Sequence, residues 1–253
     1  MDQRARADAF RRMHREPPIL VLPNAWDVAS AKALAAVPGC RALATSSAAV
    51  ARSLGFEDGE RAPPAEMVEA ARRVAAAVDV PVTADLERGY GDPVGTARAA
   101  WEAGLVGINV EDSTHGSLVD VADQIDVIRA IRAAVPGLVV NARVDVFLGI
   151  GRGDVPEAAE RANAYLEAGA DCAYPILAPP DSIPALVHRI QGPVNVIVEK
   201  RTPPPAELEA LGVARVTWGP ASRRPRMPRR CGSRPPRSAR DCRGGSRGRR
   251  ARA

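Results

Sequence analysis

The apolar and polar positions of this chain follow two alternating patterns. Eight short apolar runs have the length of buried strands, and longer segments whose apolar residues recur at helical spacing lie between them. We predict strands at 19–22, 42–45, 80–86, 107–111, 138–142, 172–177, 194–198 and 213–218. We predict helices at 28–36, 65–78, 94–103, 121–135, 157–168, 182–190 and 205–211.

This strand–helix alternation favours an α/β fold, a closed parallel (β/α)8 barrel of the TIM type. An open doubly wound sheet is the alternative, but such a sheet needs a glycine-rich loop after its first strand. Residues 23–27 read Pro-Asn-Ala-Trp-Asp and do not form such a loop. Residues 1–15 are predicted to be a short surface helix, which would leave His14 exposed and without a role.

The net charge is unevenly distributed along the chain. The whole chain carries a formal +5, but residues 223–253 contain thirteen arginines against one acid, Asp241, a net of +12. Residues 1–222 therefore carry −7. We expect residues 1–222 to form the catalytic barrel, and an acidic body of this kind argues against a nucleic-acid partner for it.

Residues 223–253 are rich in Arg and Pro and contain no Val, Ile, Leu, Phe, Trp or Tyr, so they are predicted to be a disordered tail. The eighth helix of the barrel would fall here, and this basic segment takes its place. Three interpretations stay open: a basic extension that binds polyanions, a solvated tail without function, and a frameshifted end. The abrupt change of composition after Gly219-Pro220 favours the frameshift.

The four cysteines, Cys40, Cys172, Cys231 and Cys242, show no paired spacing. This argues against a disulfide framework and against a zinc site. No apolar run reaches the length of a membrane span. We therefore expect a cytoplasmic protein without a membrane partner.

Polar residues cluster where the predicted strands end. Residues two apart in a strand point to the same side, so Asp85 and Glu87 project together from the end of the third strand. Two close carboxylates repel each other unless a cation or a shared proton lies between them, and a hard divalent ion is the simplest solution. Other strand ends contribute Asn24, Asp27, Ser46, Ser47, Glu111, Asp112, Asn141, Arg143 and Asp145. In a barrel all of these meet at one end, which predicts a metal-centred pocket for an anion.

These residues resemble the isocitrate lyase and phosphoenolpyruvate mutase superfamily over about residues 10–222, and in particular its short bacterial mutase-like or oxaloacetate-type branch. The resemblance rests on six motifs in one order: LPNAWD at 22–27, ATSS at 44–47, FEDG at 56–59, DLERGYGD at 85–92, GINVED at 107–112 and NAR at 141–143. Each motif alone is weak, whereas the ordered set is specific. The resemblance implies a barrel enzyme that binds Mg2+, or Mn2+ in its place, and a small 2-oxo acid.

The resemblance also implies a set of metal ligands. Asp85 would bind the metal directly, while Glu87, Glu111 and Asp58 would hold its water molecules. Such an arrangement suits Mg2+, which keeps several waters and uses few carboxylates. Relatives assemble as homo-oligomers through the eighth helix, and the absence of that helix leaves the assembly of this chain open.

Substrate-binding and catalytic candidates follow from the same resemblance. The substrate-binding candidates are Trp26, Asp27, Ser46, Ser47, Arg143 and Asn195, and the catalytic candidates are Asp58, Arg143 and His115. Ser46 and Ser47 would bind the substrate carboxylate, and the planar guanidinium of Arg143 would clamp the same anion.

The loop after the fourth strand departs from the superfamily pattern. Isocitrate and methylisocitrate lyases carry Lys-Cys-Gly-His there, whereas residues 112–118 read Asp-Ser-Thr-His-Gly-Ser-Leu. Those lyases also place a Glu after the strand-six proline, where this chain has Ile176. His115 is the one obvious substitute for the missing acid or base, and an exposed histidine without a role is the alternative.

The predicted function is a Mg2+-dependent carbon–carbon lyase. It would act on a small 2-oxo acid or dicarboxylate through a pyruvate-type enolate, by C–C cleavage or decarboxylation. Phosphonomutase or phosphonopyruvate-type chemistry at a P–C bond is the first alternative. A non-catalytic barrel, or a polyanion-binding protein that uses its tail, is the second. The substrate and the general acid or base stay open.

Overall fold

A computed structural model describes residues 2–218 of the chain. The predicted tail at 223–253 and the position of an eighth barrel helix lie outside the described residues. Within residues 2–218, eight parallel strands surround one interior. Pro23 divides the first, β1, into Leu20–Leu22 and Asn24–Ala25. The others are β2 (Leu43–Thr45), β3 (Val82–Asp85), β4 (Gly107–Glu111), β5 (Val139–Val144), β6 (Cys172–Pro175), β7 (Asn195–Val198) and β8 (Arg215–Trp218).

The ring of strands closes through the two halves of β1. The first half pairs with β8, with Leu20 opposite Arg215, and the second half pairs with β2. Strands β2 to β6 follow one another in chain order. A bridge between Ala173 and Val194 joins β6 to the residue that precedes β7, and β7 pairs with β8. The prediction of a (β/α)8 barrel is confirmed.

All seven predicted helices are present, with ends within two residues of their predicted positions. The predicted amino-terminal helix is also present, as α1, and one helix that the pattern did not predict, α3, follows β2. Within residues 2–218 the helices are α1 (Gln3–Met13), α2 (Val28–Ala35), α3 (Ser47–Leu54), α4 (Pro64–Ala76), α5 (Pro93–Glu102), α6 (Val121–Ala134), α7 (Val155–Glu167), α8 (Ile183–Arg189) and α9 (Pro205–Ala210). A short hairpin, Ser113–Thr114 with Ser117–Leu118, follows β4.

Helix α1 packs against the inner side of the barrel, which corrects the prediction of a surface helix. Phe10 is fully buried in a cluster with Ala7, Leu20, Leu22, Ala42, Ala44, Val106 and Val139. Gly107 makes room for the ring, since a Cβ there would lie 3.2 Å from Phe10 Cε1. His14, at the end of the helix, is buried rather than exposed. Its Nδ1 lies 2.9 Å from the carbonyl oxygen of Phe10, and burial lowers the pKa of its ring to about 3.

Replacing Phe10 by Ala should destabilise the barrel strongly, because a fully buried ring is lost and its space cannot close completely. The expected loss is about 3–5 kcal/mol of unfolding free energy, measured by urea denaturation. The control is Arg4→Ala on the exposed side of the same helix, which should change stability by less than about 0.5 kcal/mol. Equal stability of the two variants would mean that α1 is not part of the barrel core.

Candidate active site

The predicted pocket residues come together at the carboxyl ends of neighbouring strands. Asp85 and Glu111 are the last residues of β3 and β4, and Arg143 is the fifth residue of β5. Glu111 lies directly opposite Arg143 in the pairing of β4 with β5. Residues opposite each other in a ladder share a face, so these side chains project into the same end of the barrel.

Asp85 has one carboxylate oxygen bound and one free. Its Oδ2 accepts hydrogen bonds from the hydroxyl of Ser47 at 3.1 Å and from the N–H of Ser47 at 3.4 Å. Its own N–H donates to Thr45 Oγ1 at 3.1 Å. Its Oδ1 is buried and has no partner among residues 2–218. A buried carboxylate oxygen without a donor is costly, so this atom marks a position for a cation or a donor from a ligand.

Glu87 lies in the loop after β3 in a left-handed backbone conformation, with φ of +53°. Its Oε2 accepts a hydrogen bond from the N–H of Glu60 at 2.6 Å, and its Oε1 accepts one from the hydroxyl of Tyr90 at 3.1 Å. Burial and the nearby charge of Asp58 raise the pKa of Glu87 to about 7. The predicted site residue Asp58 is exposed, but its negative charge is near enough to disfavour the charged form of Glu87.

Arg143 is held between two carboxylates. Its Nε donates to Asp145 Oδ1 at 2.5 Å and its Nη2 to Asp145 Oδ2 at 3.1 Å, while its Nη1 donates to Glu111 Oε1. The burial of Glu111, together with the charges of Asp85 and Asp145, raises its pKa despite this ion pair. All three nitrogens of the predicted anion clamp are therefore engaged by the protein itself.

A second layer of buried polar groups fixes Asp145. Its N–H donates to Asp112 Oδ1 at 2.8 Å, and its Oδ2 accepts from the hydroxyl of Ser113 at 2.5 Å. Asp112 is fully buried and also accepts from Tyr165 Oη at 2.9 Å and from Arg161 Nη1 at 3.2 Å. Arg161 lies in the middle of helix α7 and Tyr165 in its last turn, where the sequence pattern carries no signal for a site residue.

Arg88 of the DLERGYGD motif supports the site from outside. Its Nη1 donates to the carbonyl oxygen of Glu111 at 3.3 Å and to Gln124 Oε1 at 2.8 Å. Gln124 Nε2 donates to the same carbonyl at 3.1 Å. These bonds hold the backbone at the end of β4 and so fix the position of the Glu111 side chain.

Several predicted site residues have structural roles of their own. Ser46 caps helix α3, accepting from the N–H of Ala49 at 3.4 Å. Asp27 caps helix α2, accepting from the N–H of Ser30 at 2.7 Å, and bonds to Ser30 lower its pKa. Trp26 is 46 % exposed beside it.

Among residues 2–218, His115 and Asn195 make no hydrogen bond or ion pair with the carboxylate cluster. His115 is at the exposed tip of the hairpin after β4, with φ of +50°. Asn195 is the first residue of β7, fully buried, and accepts from Thr217 Oγ1 at 3.0 Å. The structure thus brings Asp85, Glu87, Glu111 and Arg143 together but does not bring His115 to them.

Two inward-facing residues that the sequence pattern did not single out are Tyr174 and Arg215. Tyr174 lies opposite Arg143 in the pairing of β5 with β6. Arg215 is fully buried, donates from Nε to Thr217 Oγ1 at 3.2 Å, and has no partner for its two terminal nitrogens among residues 2–218. Burial lowers the pKa of Arg215. Both residues lie in apolar runs, so only the alternation of inward and outward positions along a strand could have indicated that they face the interior.

The carboxylates fit a magnesium ion that keeps its waters. Among the residues that the structure describes, no three His, Cys, Asp or Glu side chains converge as a closed ligand cage. Mg2+ usually binds through one or two carboxylates plus water, and Asp85 Oδ1 is the free buried oxygen of the cluster. Burial is the main cause of the raised pKa values of Glu87 and Glu111, and the charges of neighbouring acids raise them further, which is a setting that a cation would relieve.

Comparison with known proteins shows the family of the chain. The family model of phosphoenolpyruvate phosphomutase matches residues 10–229. The 2-methylisocitrate lyase of Bacillus subtilis is 33 % identical over 181 residues, which cover 67 % of this chain and 59 % of that enzyme. Among solved structures, a protein from Burkholderia cenocepacia provisionally assigned as a phosphonomutase has a TM-score of 0.79 and 41 % identity, covering 85 % of this chain and 93 % of that chain. A phosphonopyruvate hydrolase in complex with oxalate and Mg2+ has a TM-score of 0.76 and 27 % identity, covering 85 % of this chain and 80 % of that chain.

The fold and the site define a barrel enzyme with an acidic pocket at the carboxyl ends of its strands. The chain belongs to the phosphoenolpyruvate phosphomutase family, within the isocitrate lyase and phosphoenolpyruvate mutase superfamily. The predicted superfamily is confirmed. None of the helices in residues 2–218 is long and apolar enough to cross a membrane.

The raised pKa of Glu87 predicts how stability depends on pH without divalent cations. Folding moves this pKa from 4.5 to about 7, so the folded state binds more protons than the unfolded state between these values. Stability should therefore fall as pH rises through this range. Glu87→Gln should reduce the fall without abolishing it, because the pKa values of Glu111 and Asp112 are raised as well.

The measurement is the urea midpoint of the metal-free protein between pH 4.5 and 8. The matched control is Glu66→Gln, on the exposed face of helix α4, which should follow the wild-type curve. An unchanged slope in Glu87→Gln would show that this carboxylate is not a repelled member of the cluster.

Proposed function

We propose that this protein is a Mg2+-dependent carbon–carbon lyase that acts on a small 2-oxo acid or dicarboxylate through a pyruvate-type enolate. The observation that carries the proposal is the free, buried Oδ1 of Asp85 at the centre of the carboxylate cluster. Asp85 would hold the metal directly, and Glu87 and Glu111 would hold its waters. The free thiol of the partly buried Cys40 and the buried thiol of Cys172 suit a reducing compartment, so we place the enzyme in the cytoplasm.

The metal would stabilise the negative charge that develops on the 2-oxo oxygen. The chain supplies the rest of the binding site. Ser46 is the N-cap of helix α3 and Ser47 is its first residue, and the amino terminus of a helix favours an anion such as the substrate carboxylate. Ser47 also orients Asp85 through two hydrogen bonds. The Arg143 guanidinium, fixed by Asp145, keeps a positive charge beside the pocket.

Two relatives support the proposed reaction class. The Bacillus subtilis relative is named as a lyase of 2-methylisocitrate, and the phosphonopyruvate hydrolase was solved with oxalate, which resembles the enolate of pyruvate. Phosphonomutase chemistry at a P–C bond is the second candidate, favoured by the name of the family model and by the Burkholderia structure. Both chemistries would use the same enolate site.

Binding of oxalate tests the site without knowledge of the substrate. We expect calorimetry to show oxalate binding to the wild-type protein in the presence of Mg2+ and none when the metal is chelated. Asp85→Asn should weaken oxalate binding about 100-fold or more, because the direct metal ligand loses its charge. The control is Asp79→Asn, exposed in the bend that precedes β3, which should bind as the wild type does. Metal-independent binding, or full binding by Asp85→Asn, would contradict the site.

A substrate screen separates the two chemistries. We expect pyruvate release from a 2-oxo or 2-hydroxy dicarboxylate, with oxaloacetate as the first compound and phosphonopyruvate as the comparison. Activity on phosphonopyruvate alone would select P–C chemistry. With the substrate found, Asp85→Ala should lose at least about 1,000-fold in kcat/KM, and an Asp85→Ala variant with full activity would exclude the proposed mechanism.

A further inference from the structure

The protein itself already engages most of the predicted anion-binding groups. Each guanidinium nitrogen of Arg143 donates to Glu111 or Asp145, which leaves one N–H on each of its two terminal nitrogens. The Ser47 hydroxyl donates to Asp85, whereas Ser46 Oγ accepts from the N–H of Ala49 and keeps its own hydrogen. A further donor in the pocket would add to the binding of a substrate oxyanion.

Strand pairing brings one further hydroxyl to this position. Glu111, Arg143 and Tyr174 lie opposite one another across β4, β5 and β6, so the three side chains share the inner face of the barrel. Tyr174 is 3 % exposed. The charges of Arg143, Asp85 and Asp145 all act on its hydroxyl, as expected for a group inside the pocket.

The hydroxyl of Tyr174 differs from those of the other two tyrosines of the chain. Tyr165 donates to Asp112 at 2.9 Å, and Tyr90 donates to Glu87 at 3.1 Å. The hydroxyl of Tyr174 makes no side-chain hydrogen bond among residues 2–218. Its oxygen is not one of the fully buried polar atoms that lack a partner, so part of it is accessible, and solvent that binds it can be replaced by a ligand. The hydroxyl of Tyr174 is thus available to donate a hydrogen bond to a ligand.

The surroundings of Tyr174 keep it a donor. Burial raises the pKa of the phenol, so the hydroxyl retains its proton at neutral pH. The guanidinium groups of Arg143 and Arg215 act in the opposite sense and favour negative charge near the oxygen. Arg215 has two terminal nitrogens without a partner among residues 2–218, so no adjacent carboxylate in this part of the chain cancels its charge. A neutral hydroxyl on which these two guanidinium charges act, beside those of Asp85 and Asp145, is able to donate to an oxyanion.

We propose that Tyr174 is a substrate-contacting residue whose hydroxyl donates a hydrogen bond to an anionic oxygen of the bound 2-oxo acid. The inference rests on the proposed function, since it assigns a further contact in the same pocket. No proton is transferred in this role: the hydroxyl stabilises charge on the substrate oxygen and keeps its own hydrogen.

The test compares Tyr174→Phe with the wild-type protein in oxalate binding at saturating Mg2+, by calorimetry. Removing a hydrogen bond to a charged oxygen should weaken the affinity about 10-fold or more. The same variant should keep its urea midpoint, because no side-chain hydrogen bond within residues 2–218 is lost with the hydroxyl. Tyr165→Phe gives the contrast in stability, since its hydroxyl serves both Asp112 and Arg161, and its midpoint should fall.

The outcomes separate the two proposals. If the wild-type protein does not bind oxalate with Mg2+, the proposed function fails and this inference fails with it. If the wild-type protein binds and Tyr174→Phe binds within about 2-fold, the proposed function stands and the role of Tyr174 is overturned. A Tyr174→Phe variant that unfolds, or that loses stability as Tyr165→Phe does, would show that the hydroxyl has a structural role and would also overturn it.

Discussion

Repulsion among carboxylates at one end of the barrel governs most of what surrounds the site. Asp85, Glu87, Glu111 and Asp145 crowd into a buried space, and the pKa values of Glu87 and Glu111 rise as a result. The protein offsets this repulsion with fixed positive charge and with oriented donors. Arg143 lies between Glu111 and Asp145, and the hydroxyl and N–H of Ser47 face Asp85. One oxygen of Asp85 stays free, and that oxygen gives the site its capacity for a cation.

The interior of this barrel is more polar than the branched apolar filling that barrels of this type usually have. Asn141 Nδ2 donates to Asn109 Oδ1 at 2.8 Å, and Thr217 donates to Asn195. Buried polar groups are tolerable when they bind one another, so these pairs reduce the cost of a polar floor beneath the pocket. The apolar residues around Phe10 form a separate cluster, so the polar interior and the apolar contacts of helix α1 are distinct parts of the core.

The fold was predictable because each of its eight strands is an apolar run bounded by turn residues. The pocket was predictable in outline for a related reason: in a barrel, polar residues at strand ends must meet. Helix α3 was missed because Ser47–Leu54 is short and its buried face consists of small residues. The packing of α1 was missed because Phe10 is a single large apolar residue in an arginine-rich segment.

The sequence did not predict which side chains of the site bind one another. Nothing in the order of residues shows that the carboxylate of Asp145 accepts a hydrogen bond from Arg143, the residue predicted to bind the substrate anion. Tyr174 and Arg215 were hidden because inward and outward positions of a buried strand look alike when both faces are covered. Their roles depend on which neighbour each side chain meets, and that is set by register.

The split first strand has a consequence for how the chain reaches its native state. Leu20 pairs with Arg215, so the ring closes only after nearly all of the described chain is available. Until then β1 has an unpaired edge, and such edges invite pairing with other chains during synthesis. Contacts between residues so far apart in the chain also slow folding, because a large loop must be closed before they form. Expression yield and folding rate of this enzyme should therefore depend on the β1–β8 seam more than on any other pair of strands.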